Sequence, residues 1–96
     1  MEANNIRKHG KKMNESKTFM ERGKEIIAKY MNENGEEITV EEIYVVWLSK
    51  TLQNTKGMFS TEVADGMYYE LTYNGNKKEL YFDAYKKVKN ICIPIK

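Results

Sequence analysis

Met67-Tyr68-Tyr69-Glu70-Leu71-Thr72-Tyr73-Asn74-Gly75-Asn76-Lys77-Lys78-Glu79-Leu80-Tyr81-Phe82 carries a strand–turn–strand pattern from which the architecture follows. Met67, Tyr69, Leu71 and Tyr73 alternate with Tyr68, Glu70 and Thr72. That period of two gives a β-strand one buried and one open face. Asn74-Gly75 follows. Both residues tolerate positive φ, which a two-residue type I′ hairpin turn requires at its two central positions. Lys78–Phe82 is then the returning strand, with Leu80 and Phe82 on one face. An antiparallel sheet is therefore expected.

Working upstream, Ala64-Asp65-Gly66 is a turn signal, and Met58–Val63 is the strand before it. Gln53-Asn54-Thr55 marks another turn. The run Ile43-Tyr44-Val45-Val46-Trp47-Leu48 is β-branched and aromatic, which favours a strand. A helix is the competing reading, because Val40, Tyr44, Trp47 and Leu48 also share a helical face. Thr39-Val40-Glu41-Glu42 has the spacing of a capping box.

Residues 17–33 have the period of an amphipathic helix. Phe19, Gly23, Ile26, Ile27, Tyr30 and Met31 fall on one face. Ser16 or a Thr18–Glu21 capping box would start it, and Asn34-Gly35 would end it. Downstream, Asp83 can cap a short helix with Ala84, Val88 and Ile91 on its inner face. Ile91–Ile95, interrupted by Pro94, suits an edge or a docked tail. The expected architecture is α+β: a long N-terminal helix packed on an antiparallel three- or four-stranded meander, closed by a short C-terminal helix.

The chain has 96 residues, 41% of them hydrophobic and 31% charged, enough for one small domain. That domain is placed at residues 16–96. Residues 1–15 read as a disordered basic tail without apolar period. The net charge is +2, but it is polarised: residues 13–75 are acidic on balance, and residues 76–96 carry six basic and two acidic side chains. Cys92 is the single cysteine, which excludes an internal disulfide and fits a reducing cytoplasm. Neither a secretory signal nor a run long enough to span a membrane is present in the sequence.

The stretch Phe19–Lys89 resembles a family of small uncharacterised proteins found in phages and prophages of Gram-positive bacteria. The likeness is carried by Tyr44-Val45-Val46-Trp47, Lys50-Thr51-Leu52-Gln53-Asn54, Ser60-Thr61, Asp65-Gly66-Met67-Tyr68-Tyr69-Glu70, Thr72-Tyr73-Asn74-Gly75 and Asp83-Ala84-Tyr85-Lys86-Lys87. It implies a phage or prophage setting and the cytoplasm of the infected or lysogenic cell. It brings no catalytic residues. Family members usually begin near Met13, so residues 1–12 depart from the pattern.

Chemistry is constrained mostly by what is missing. One Cys and one His exclude a Cys/His zinc site, and His9 lies in the tail, far from any nucleophilic triad pattern. There is no glycine-rich phosphate loop. Asp65 and Glu70 are a nuclease-like acidic pair with no lysine following at the usual place, so turn shaping and surface exposure explain them better. No enzyme activity and no cofactor are expected.

The leading expectation is an accessory protein that binds a host or phage protein through a sheet face or the acidic helix–loop region around Glu36, Glu37 and Glu41. The alternative is single-stranded nucleic-acid binding by Tyr68 and Tyr81 beside Lys77, Lys78 and Lys50, stacking bases and contacting phosphates. A weaker alternative is nucleotide sequestration against a host defence. Trp47 is expected in the core, with an exposed hot spot as the competing role. Cys92 is expected to be buried. A homodimer could form through a strand edge near residues 91–95 or 56–63.

Overall fold

The computed structural model describes residues 15–63 and 65–96. The basic tail placed at residues 1–15 lies, apart from Glu15, outside them. The chain runs as helix α1 (Ser16–Glu33), a 3-10 turn (Val40–Glu42), and strands β1 (Ile43–Thr51), β2 (Asn54–Thr61), β3 (Met67–Asn74) and β4 (Glu79–Lys86). The strands form one antiparallel meander in the order β1-β2-β3-β4. Its edges are therefore β1 and β4.

Of the stripe that its period defines, α1 buries Phe19, Gly23, Ile27 and Met31, with Thr18 and Ala28 beside them, whereas Ile26 is half-buried and Tyr30 is exposed. It starts ahead of the Thr18–Glu21 box. Glu15 is the N-cap, and its carbonyl accepts from Phe19 N–H at 2.8 Å. The stop is where Asn34-Gly35 placed it, with Gly35 at φ +97°. Asn32 then ties down the following loop. Its side chain accepts from Ile38 N–H at 2.8 Å and donates to Ile38 O at 3.1 Å, which holds Ile38 in the core. The Thr39–Glu42 capping box forms, with Thr39 N–H donating to Glu42 Oε1 at 2.8 Å.

The core lies between α1 and one face of the sheet. Phe19, Ile27 and Met31 meet Ile43, Phe59, Tyr69 and Leu71. The Phe19 and Phe59 rings are 6.2 Å apart, and Tyr69 stacks on Phe82 at 5.9 Å. Burying side chains of this size stabilises the fold by about 1.5–3 kcal/mol each. Gly57 lies under Phe19: a Cβ there would be 3.0 Å from the ring.

The structure corrects several expectations. β1 is a strand, but one extra residue sits between Val45 and Trp47 as a bulge. A bulge reverses the alternation beyond it. Leu48 and Lys50 therefore fall on the helix side, opposite Gly57 and Thr55, and Trp47 leaves the core for the other face. The β3–β4 connection is a hairpin, but not a two-residue one. Asn74 Oδ1 accepts from the N–H groups of Asn76 and Lys77, and Lys78, not Gly75, adopts positive φ.

The short C-terminal helix is not present. β4 continues through Asp83 and Ala84 to Lys86, because the cross-strand pairs Glu70–Asp83, Tyr69–Ala84 and Tyr68–Tyr85 extend the ladder. Residues 87–96 have no secondary structure, and Cys92 is exposed instead of buried. Residues 56–61 belong to the central strand β2 and are no free edge.

Candidate interaction face

The sheet face turned away from α1 is uncovered among the described residues. Strand alternation places Tyr44, Trp47 and Ser49 of β1 there, with Lys56, Met58 and Ser60 of β2. β3 contributes Tyr68, Glu70 and Thr72, and β4 contributes Tyr81, Asp83 and Tyr85. Tyr44, Trp47, Tyr81 and Tyr85 are 45%, 39%, 52% and 49% exposed. Aromatic rings offer large contact area at low entropic cost, and their clustering on an open face is the usual mark of a recognition surface.

A polar triad sits at the centre. Glu70 Oε2 is 3.5 Å from Lys56 Nζ, and Glu70 Oε1 accepts from Tyr85 O–H at 3.2 Å. Towards the hairpin, Tyr81 O–H donates to Glu79 Oε1 at 2.6 Å. These two hydrogen bonds to carboxylates push both phenols above their ordinary pKa of 10. Each carboxylate thereby gives its phenol a hydrogen-bond partner on the open face.

The structure brings together some of the residues singled out from sequence and separates others. Tyr68 and Tyr81 do share the open face, opposite Tyr85 and Thr72 respectively. Their rows are four β3 positions apart, about 13 Å along the strand. Lys77 and Lys78 occupy the β3–β4 loop. Lys50 faces the helix side because of the bulge, and Lys56 takes the basic position on the open face. Glu36 and Glu37 are exposed in the loop after α1, and the charge of Glu36 acts on Tyr69 of the covered face. Glu41 lies in the 3-10 turn and, with Glu42, Tyr44, Glu62 and Val63, lines a groove of about 410 Å³ beside the start of β1.

Asp65 and Glu70 do not form a pair. Asp65 Oδ1 accepts from Met67 N–H at 3.0 Å in a turn, and its charge acts on Tyr69, which is on the covered face. Among the described residues no three His, Cys, Asp or Glu side chains converge as a metal site would need. Nor is any described helix long and apolar enough to cross a membrane.

The sequence reading missed Tyr44, Met58, Tyr85 and Lys56 as members of this face, and held exposure of Trp47 only as the competing role. The signal for Tyr85 was its alternation with Phe82 and Ala84, had the strand been extended. Nothing local marks the bulge that exposes Trp47.

One helix over one face of a four-stranded meander, with the second face open, makes this a two-layer α+β module. The chain belongs to a family of unknown function, DUF6275, whose model matches residues 20–95. No curated protein and no solved structure matches it.

Proposed function

We propose that this chain is a non-enzymatic binding module that recognises a host or phage protein through its open sheet face, in a phage or prophage setting. The observation that supports it is the set of exposed aromatics Tyr44, Trp47, Tyr81 and Tyr85 around the Lys56–Glu70 pair. Aromatic anchors encircling a satisfied polar centre are the composition of protein interfaces.

The charge on the face favours protein over nucleic acid. Glu70, Glu79 and Asp83 outnumber Lys56, and Lys50 points away. A strand-binding surface needs cations along the phosphate track. The setting comes from the family resemblance, and a chain of this kind acts in the bacterial cytoplasm.

The test is co-purification from the native bacterium with wild type, Trp47→Ala and Tyr85→Ala. A stoichiometric protein retained by the wild type and lost from both variants, with their thermal stability kept, supports the reading. Nucleic acid or nucleotide in the eluate, seen as a high 260/280 nm absorbance ratio, overturns it in favour of the nucleic-acid or sequestration alternative. A protein partner indifferent to both substitutions overturns the placement on this face.

A further inference from the structure

Beyond β4 the chain continues through residues 87–96 with every side chain exposed. Its root is fixed by Lys87 N–H donating to Gly66 O at 2.7 Å. The rest projects. The radius of gyration is 15.9 Å and the longest dimension 59 Å, where a compact chain of this size has a radius of about 12 Å. The arm is not a polar linker. Val88, Ile91, Ile93 and Ile95 are 94%, 63%, 71% and 87% exposed. Ile91, Ile93 and Ile95 stand at alternate positions, the pattern of a strand with one apolar face. A lone strand of this kind gains stability only by joining a sheet edge and covering its apolar side. Pro94 lacks an N–H, which fits an outermost strand and limits pairing to the residues before it.

The start of β1 offers what the arm needs. It is a sheet edge, and it borders a groove with apolar walls in Tyr44 and Val63 and an acidic rim in Glu41, Glu42 and Glu62; because Ile43 pairs with Thr61, Glu62 and Val63 form the wall on the β2 side. The arm is basic: Lys86, Lys87, Lys89 and Lys96 are its charged side chains, with no carboxylate side chain after Asp83. Position matches as well. Tyr44 and Val63 also line a neighbouring hollow that contains Lys87, so the root of the arm and the groove lie side by side. In a twofold pair, each root would stand next to the groove of the other copy, and both arms cross at once. The family match extends through the arm to residue 95.

We infer that two copies of this chain exchange these arms. Residues 88–93 of each add as a strand at the beginning of β1 of the other copy, with the isoleucines against Tyr44 and the lysines toward the acidic rim of Glu41, Glu42 and Glu62. Tyr44 belongs to both the groove and the open face, whereas Trp47 and Tyr85 lie outside the groove, so arm exchange should survive Trp47→Ala and Tyr85→Ala and the two readings can fail separately.

Sedimentation equilibrium of the full chain tests it. The wild type is expected to be a dimer that weakens with salt, as the charge pairing requires. The double change Ile91→Asp and Ile93→Asp should weaken dimerisation at least about tenfold with an unchanged circular-dichroism spectrum, since both side chains are exposed. Glu41→Lys with Glu62→Lys should weaken it too, and Lys87→Glu with Lys89→Glu in the same chain should restore it. Intramolecular docking is distinguished by mixing. A chain carrying Glu62→Cys and Cys92→Ser, combined with wild type and a short bis-maleimide, should give a cross-linked heterodimer through Cys92 of the wild-type arm. A monomer at all concentrations, a dimer indifferent to the isoleucine changes, or a mixture that yields no cross-linked heterodimer would overturn the inference.

Discussion

Gly23 of α1 lies so close over Leu71 of β3 that a Cβ on the glycine would stand 2.7 Å from Leu71 Cδ1. The same atom would be 2.9 Å from Phe59 Cζ. Both neighbours are fully buried, so neither can retreat into solvent. The glycine is what lets the helix settle on the sheet.

Gly23→Ala therefore sets two effects against each other. Alanine improves helix propensity by about 1 kcal/mol. Overpacking a filled core costs about 1–3 kcal/mol. The expected net result is destabilisation of about 1 kcal/mol, read as a fall of several degrees in Tm. A rise in Tm would mean that α1 sits farther from β3 than described.

Trp47 and Phe59 should respond very unequally to truncation, although both are large aromatics on adjacent strands. Phe59 is fully buried and touches Phe19. Phe59→Ala should cost about 3–5 kcal/mol, a large share of the stability of so small a domain. Trp47 lies on the open face, and Trp47→Ala should cost about 1 kcal/mol or less. Urea unfolding of the two variants checks the contrast. Equal losses would return Trp47 to the core.

That contrast shows what could and could not be read from sequence. The stripe Phe19–Gly23–Ile27–Met31 and the alternation of Met67–Tyr73 are each set by local periodicity, and both were legible. The bulge at Val46 is not a local property. It depends on how β1 pairs with β2, and one inserted residue carried Trp47 out of the core and Lys50 off the candidate face. The helix expected after Asp83 failed for a related reason. Pairing of Tyr85 with Tyr68 outweighed a cap signal that had few apolar contacts to support it. Of the candidate site, Tyr68 and Tyr81 were legible because β3 and β4 are regular. Tyr44, Trp47 and Lys56 reach the face only through the β1–β2 register.

Alkaline pH should destabilise the fold through Tyr69. Burial, chiefly, with Asp65, Tyr30 and Glu36 adding unfavourable charge, raises its pKa above 10. A raised phenol favours the protonated form in the folded state. Its contribution is complete below the unfolded pKa of about 10 and is lost as pH rises through the folded value. The urea midpoint of the wild type should therefore fall more steeply above pH 10 than that of Tyr69→Phe. Parallel curves for the two proteins would show that Tyr69 does not carry this loss.

Glu70→Gln should free Tyr85. The carboxylate hydrogen bond is the main cause of the raised phenol. Removing the charge should bring the Tyr85 pKa down toward its ordinary value, seen by NMR titration of the ring. The Lys56–Glu70 pair is partly solvated, so global stability should change by less than about 1 kcal/mol. A Tyr85 titration unchanged by the substitution would show that Glu70 is not what raises the phenol.

Trp47 reports directly on protein recognition by the open face because it is the only tryptophan of the chain. The measurement is 19F NMR of the chain labelled with 5-fluorotryptophan, free and combined with the protein that co-purifies from the native bacterium. Alone, the single resonance should show the H2O/D2O solvent shift of an exposed indole. In the complex it should move and lose that solvent sensitivity. A resonance with the same position and the same solvent shift in both states would contradict the assignment of this face as the binding surface.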